Sequence, residues 1–147
     1  MKVRADENVS IKIVQAIRLV CLSSTWELSH VREHHGPRTH DETWLPRFAA
    51  EGGKAFVTGD ARILARPHQL VAVRDAGLSS IVLSQEWTEA KRHDQAAHLI
   101  YWWPKIEEAI KSADPGDCWK VPFKYERSLG LVSKKINYDK PAQAAKK

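Results

Sequence analysis

The sequence is poor in cysteine, in long apolar runs and in repeats, and each shortage removes a class of protein. Its two cysteines, Cys21 and Cys118, stand far apart in 147 residues and show no metal-ligand spacing. They predict free, buried or half-buried thiols, not a disulfide framework or a zinc site. No apolar run approaches the ~20 residues that a membrane-spanning helix needs. The opening Met-Lys-Val-Arg-Ala-Asp enters a strand directly, without the apolar stretch of a signal peptide. A chain in the cytoplasm, with no membrane partner, is the expectation. No internal repeat or low-complexity stretch precedes the C-terminal segment.

What remains is an ordinary globular composition, 43% hydrophobic, in a chain long enough for one domain with a real core. The net charge of +5 is unevenly placed. Residues 124–147 carry seven lysines and arginines against Glu126 and Asp139, so the whole excess is C-terminal. The expected division is therefore a folded domain over 1–123 and a basic tail over 124–147. Such a tail either binds nucleic acid by counterion release or serves as a solubilising end.

Short apolar runs alternate with amphipathic stretches. Strands are predicted at Val3–Ala5, Trp26–Val31, Lys54–Thr58, Ser80–Leu83 and Trp119–Phe123. Between them, helices are predicted from Ser10 to Val20, Asp41 to Glu51, His68 to Ala76 and Asp94 to Ala113, with a loop over 32–40. Ser10 is placed to cap the first helix. Gly52-Gly53 and Gly77 are placed to stop the second and third. Strand–helix alternation of this kind predicts an α/β fold, a parallel sheet with right-handed crossovers.

Three acidic stretches fall at suggestive places. Asp6-Glu7-Asn8 follows the first strand, Thr58-Gly59-Asp60 ends the third, and Asp41-Glu42 opens a helix. Carboxylates at the ends of parallel strands share the sheet edge where α/β folds bind ligands. Gathered there they repel one another unless a cation lies between them. An all-oxygen set suits Mg²⁺ or Mn²⁺, and such an ion neutralises phosphate charge and activates water. Asp41 and Glu42 point about 100° apart on a helix, so one of the two is expected to be the direct ligand. Arg38, Arg62 and Arg66 are candidates for phosphate contact, because a guanidinium matches phosphate geometry. His30, His34, His35 and His40 are read as exposed residues beside the cleft rather than as a metal site. Trp44, Trp102 and Trp103 are read as core. The adjacent pair is not expected to share one core, so one of its rings is assigned to an edge or to a protein interface such as a homodimer would supply.

The stretches VRADENVSIKIVQAI, HDETWLPRFAAEGGKAFVTGD and ARILARPHQLVAVRDAGLSSIVL resemble the PIN-like nuclease domains, closest to the ribonuclease toxins of bacterial toxin–antitoxin pairs. The resemblance runs over about residues 1–123, through WWPKIEEAI to PGDCWKVP. It implies a three-layer α/β/α fold with a central parallel sheet and an endoribonuclease dependent on Mg²⁺ or Mn²⁺. It also implies RNA as substrate and a cognate antitoxin protein as partner. Residue by residue it makes Asp6 the first-strand aspartate, Asp41 (with Glu42 beside it) the second acid and Asp60 the third. Asn8 and Thr58 match the supporting polar positions, with Glu7 between Asn8 and the first acid. The resemblance departs after Asp60, where Ala61-Arg62-Ile63 offers no further carboxylate. One tightly held metal, a second metal bound only with substrate, weak activity, or a catalytically silent binding module are the alternatives this leaves. A phosphoacceptor receiver domain also uses acids after strands one and three. It needs a lysine after a late strand, and none follows Ser80–Leu83.

Overall fold

The computed structural model describes residues 1–126 and 129–139. Six strands form one sheet in the order β2-β1-β3-β4-β5-β6. They are β1 (Lys2–Ala5), β2 (Glu27–His30), β3 (Gly53–Thr58), β4 (Ser79–Leu83), β5 (Cys118–Val121) and β6 (Val132–Lys134). The first five run parallel, and β6 pairs antiparallel with β5. Helices α1 (Ile11–Val20), α2 (Val31–His35), α3 (Asp41–Ala50), α4 (Pro67–Ala76), α5 (Gln85–Glu89) and α6 (Arg92–Lys111) complete the described chain, with a short 3-10 helix over Ala61–Leu64. Among the described residues no helix is long and apolar enough to cross a membrane.

Strand alternation sorts the side chains between two layers. Val3, Ala5, Ala55, Val57, Ile81, Leu83 and Val121 pack beneath α1 and α6. Phe56 and Leu78 pack with Trp44, Leu45 and Phe48 of α3 and with Val73 of α4. Helix α1 links β1 to β2 on one face, while α3 links β2 to β3 on the other. The chain thus winds in opposite directions from β1 and β3, and a crevice opens between their C-terminal ends. Open α/β sheets bind ligands at such a switch point.

The three-layer fold and the parallel core sheet agree with expectation, as do the cap at Ser10 and the stop at Gly77, which sits at φ 68°. Four features differ. The segment 32–40 is not all loop. Its start is helix α2, which has only Val31 buried and is held by its ends. The His30 ring accepts from Arg32 N, and Glu33 accepts from His30 N at 2.8 Å. His30 is buried rather than exposed, and its Nε2 lies 2.7 Å from Val9 O. Both Trp102 and Trp103 are fully buried in the same layer. That is possible because residues 122–126 cover the far side of α6, where Trp102 Nε1 donates to Lys124 O at 2.7 Å. Trp103 Nε1 donates to the buried Glu107. Finally, the expected boundary at residue 123 falls between two paired strands, because β6 lies within the basic segment. Arg127, Lys140, Lys146 and Lys147 of that segment lie outside the described residues.

Candidate active site

Asp6 is the first residue past β1, and its N–H still bonds Val57 O of β3 at 3.1 Å. That last rung fixes the carboxylate between the two strand ends, where it is only 5% exposed. Asn8 wraps it, donating from its backbone N to Oδ1 at 3.2 Å and from Nδ2 to Oδ2 at 3.3 Å. The Asn8 Oδ1 in turn accepts from Gly59 N at 2.5 Å. One asparagine therefore ties the β1 loop to the β3 loop. Gly59 has little room for more, since a Cβ there would lie 3.0 Å from Thr88 and 3.1 Å from Asn8 Oδ1. The Thr58 hydroxyl accepts from Asp60 N at 2.9 Å and shapes the turn that carries Asp60.

Asp41 enters as the first residue of α3. Its oxygens are held by Trp44 Nε1 at 2.9 Å and Gln69 Nε2 at 2.8 Å. Asp60 caps the 3-10 helix, and its carboxylate takes the Arg62 fork at 2.9 and 3.3 Å. Asp6, Asp41 and Asp60 line one cleft of about 340 Å³, together with Glu7, Asn8, Arg38, Glu42 and Gln69. Glu42 is exposed on the rim. Glu7 turns toward the 36–40 loop, accepting from Arg38 N at 2.5 Å and lying 3.8 Å from Arg32 Nε. This bond holds Arg38 in the left-handed region at φ 58°, an unusual place for a side chain of that size. Arg62 is 71% exposed and lines an adjacent cleft that shares Asn8 and Asp60 with this one. Arg66 caps α4 outside the cleft lining, and its charge lowers the pKa of Asp60.

The electrostatics record burial first and crowding second. Burial, with the nearby Asp41 charge adding to it, pushes Asp6 up to about 7 against hydrogen bonds from Thr58 and Asn8. Burial also raises Asp41, aided by the charges of Glu42 and Asp60. Asp60 goes the other way, lowered chiefly by its hydrogen bond from Arg62. Among the described residues no three His, Cys, Asp or Glu side chains converge as a ready ligand set. The physical reason is visible. Asp41 is parked on Trp44 and Gln69, and Asp60 on Arg62. The donor chemistry nonetheless suits a hard cation: it is all oxygen, and a divalent ion would offset both the burial that chiefly raises Asp6 and Asp41 and the smaller repulsion between the acids. Gln69, whose amide holds Asp41, also lines this cleft, and its Oε1 is buried without a hydrogen-bond partner.

A family model for the PIN like domain matches residues 1–85. The chain belongs to the PIN-like domain family. The match takes in β1 through β4 and therefore all three aspartates of the cleft, while α6, β5 and β6 lie beyond it. Comparison with curated proteins and with solved structures found no match. The PIN-like fold brings Asp6, Asn8, Asp41, Thr58 and Asp60 together. Arg62 and Arg66 stay outside the lining, and His30 is engaged in the fold rather than in the cleft. Gln69 and Trp44 orient Asp41, and neither stands out as a site residue in the sequence. Trp44 follows Asp41 by three positions, the helical spacing that brings two side chains together, and that spacing was the available signal. Gln69 lies 28 residues further along and gave none.

The raised Asp6 has a consequence for stability. Between about pH 4 and pH 7 the folded chain holds a proton on Asp6 that the unfolded chain, titrating near its ordinary 3.8, has released. The folded state binds more protons in that window, so the contribution of Asp6 to stability falls as pH rises through it. Asp6→Asn removes this liability. In metal-free buffer the variant is expected to melt above wild type at about pH 8, with the gap shrinking toward about pH 4. Thermal melts across that range check it. A gap independent of pH would mean that Asp6 titrates normally in the folded chain.

Proposed function

We propose that this chain is a metal-dependent endoribonuclease that hydrolyses RNA phosphodiester bonds. The observation that carries the reading is the buried carboxylate of Asp6, set at the β1–β3 switch point in one cleft with Asp41 and Asp60. Burying a carboxylate among others is costly, and function is the reading that explains why the fold tolerates it. Asp6 and Asp41 would hold Mg²⁺ or Mn²⁺, with Asp60 joining once its carboxylate exchanges Arg62 for the ion. Such an ion supplies charge for the phosphate oxygens and a water of lowered pKa. Asn8 and Thr58 keep Asp6 oriented, and Trp44 and Gln69 do the same for Asp41. Arg38 lines the cleft and Arg62 sits beside it on Asp60, and either guanidinium could meet a phosphate in a bidentate fork.

The biological setting we propose is the toxin of a toxin–antitoxin pair, silenced by a small cognate antitoxin protein. A neighbouring frame encoding a small DNA-binding protein would support it. A catalytically silent RNA-binding module is the second reading, and the Arg62 fork on Asp60 favours it, because that ion pair neutralises one of the three acids. Cleavage of total tRNA decides between the two. With Mn²⁺ or Mg²⁺ added, cleavage is expected. EDTA should stop it while circular dichroism stays unchanged, because a core of this size does not depend on an ion. Zn²⁺ should substitute poorly at an all-oxygen site. Cleavage that survives EDTA would refute the metal-dependent reading. Unfolding on chelation would point to a structural ion instead.

A further inference from the structure

A second cleft, of about 400 Å³, lies against the first and shares Glu7 and Asn8 with it. Its remaining wall brings together three cations from distant parts of the sequence: Lys12 in the first turn of α1, Arg32 in α2 and Arg92 at the start of α6. All three side chains are exposed. Among the described residues Lys12 and Arg92 have no side-chain hydrogen bond or ion pair. Arg32 has only the 3.8 Å approach to Glu7. Three cations facing one carboxylate leave the cleft positive, whereas the neighbouring cleft is acidic. Unpaired cations gathered in one concavity repel each other and are stabilised by an anion between them. The shared wall is well fixed, with Asn8 anchored to Gly59 and Glu7 to Arg38. Both α1 and α6 begin at this cleft, so their dipoles add to the same sign.

We propose that this cleft is a second phosphate subsite, in which Lys12, Arg32 and Arg92 hold a backbone phosphate of an RNA strand whose reacting phosphate lies at Asp6 and Asp41. The strand's placement rests on the ribonuclease reading, whereas phosphate binding in the second cleft does not. Such an interaction is independent of sequence. It fixes register on the strand and contributes affinity that weakens with salt. Three residues separated by 20 and 60 positions leave no motif in the sequence, so only the fold reveals them.

The test is binding of a labelled single-stranded RNA, followed by anisotropy in EDTA over a series of salt concentrations, so that no cleavage intervenes. For Lys12→Ala/Arg92→Ala the slope of log affinity against log salt should become shallower by about 0.7 for each phosphate no longer neutralised. Arg47→Ala/Lys111→Ala removes the same charge from exposed sites near the C-terminal ends of α3 and α6 and should change the slope less. Thermal melts show whether each variant folds, and Lys12→Gln alone serves if the double variant does not. Slopes equal to wild type, equal losses in the two double variants, or no RNA binding by the wild type would each overturn the proposal. Loss of cleavage in Asp6→Asn beside an unchanged slope in Lys12→Ala/Arg92→Ala would keep the nuclease and remove this subsite. The reverse pattern would keep the subsite and remove the nuclease.

Discussion

Asp6→Asn and Asp60→Asn should each lower RNA cleavage by at least ~100-fold, the scale of losing a charge-stabilising group at a transition state. Each substitution keeps the shape of the side chain and removes one negative charge from the cleft. Neither should unfold the protein. Asp6→Asn relieves a buried carboxylate and keeps its shape and one oxygen to accept from Asn8, at the loss of the second Asn8 hydrogen bond. Asp60→Asn loses its ion pair with Arg62, which lies largely in solvent and therefore adds little to stability. The two changes therefore act on opposite electrostatic backgrounds, one acid raised and one lowered. A common loss of activity would then reflect their shared place in the cleft rather than any shared effect on folding. Single-turnover cleavage of total tRNA in Mn²⁺, with melts run alongside, measures both. Activity within a few-fold of wild type in both variants would sink the proposed site.

Asp6 and Asp60 were legible because each ends an apolar run of strand length, and the end of a parallel strand has a known destination. Asp41 was legible as an acid opening a helix. What the sequence concealed were interactions made across the fold. Nothing near Gln69 announces that its amide holds Asp41. Helix α2 escaped because its residues Arg-Glu-His-His carry no apolar periodicity. It persists through its buried Val31, its caps and the fork of Arg18 on Glu33, at 3.0 Å for one arm. Sequence alone assigns the two tryptophans of α6 to different environments because a lone helix has one buried face. Residues 122–126 give this helix a second one.

The same concealment hid β6, whose three residues are all exposed and so show no alternation, and it leads to a strong expectation about the C-terminal segment. Leu129 and Leu131 pack against the α1–α6 layer, while Tyr138 packs against the α3–α4 layer. The Tyr138 hydroxyl donates to Gly116 O at 2.8 Å, and burial pushes the phenol up to about 12. One segment thus braces both faces of the sheet and covers the β5 edge, which would otherwise present unpaired backbone groups. Ending the chain after Glu126 should cost several kcal/mol: about 2 for the partly buried Tyr138 ring, about 1 for each leucine, and the β5–β6 ladder besides. At about 2–4 °C per kcal/mol for a chain of this length, the melting temperature should fall by about 10 °C or more. Tyr138→Ala alone should account for about 4–8 °C. Tyr138→Phe, which keeps the ring and loses one hydrogen bond, should cost about 1 kcal/mol. The carboxylate cleft is separated from β6 by β4 and β5, so cleavage at low temperature should persist in the truncated chain. Equal melting temperatures for the full and truncated chains would show that 127–147 is a tail after all, with its positive charge left to act on RNA alone.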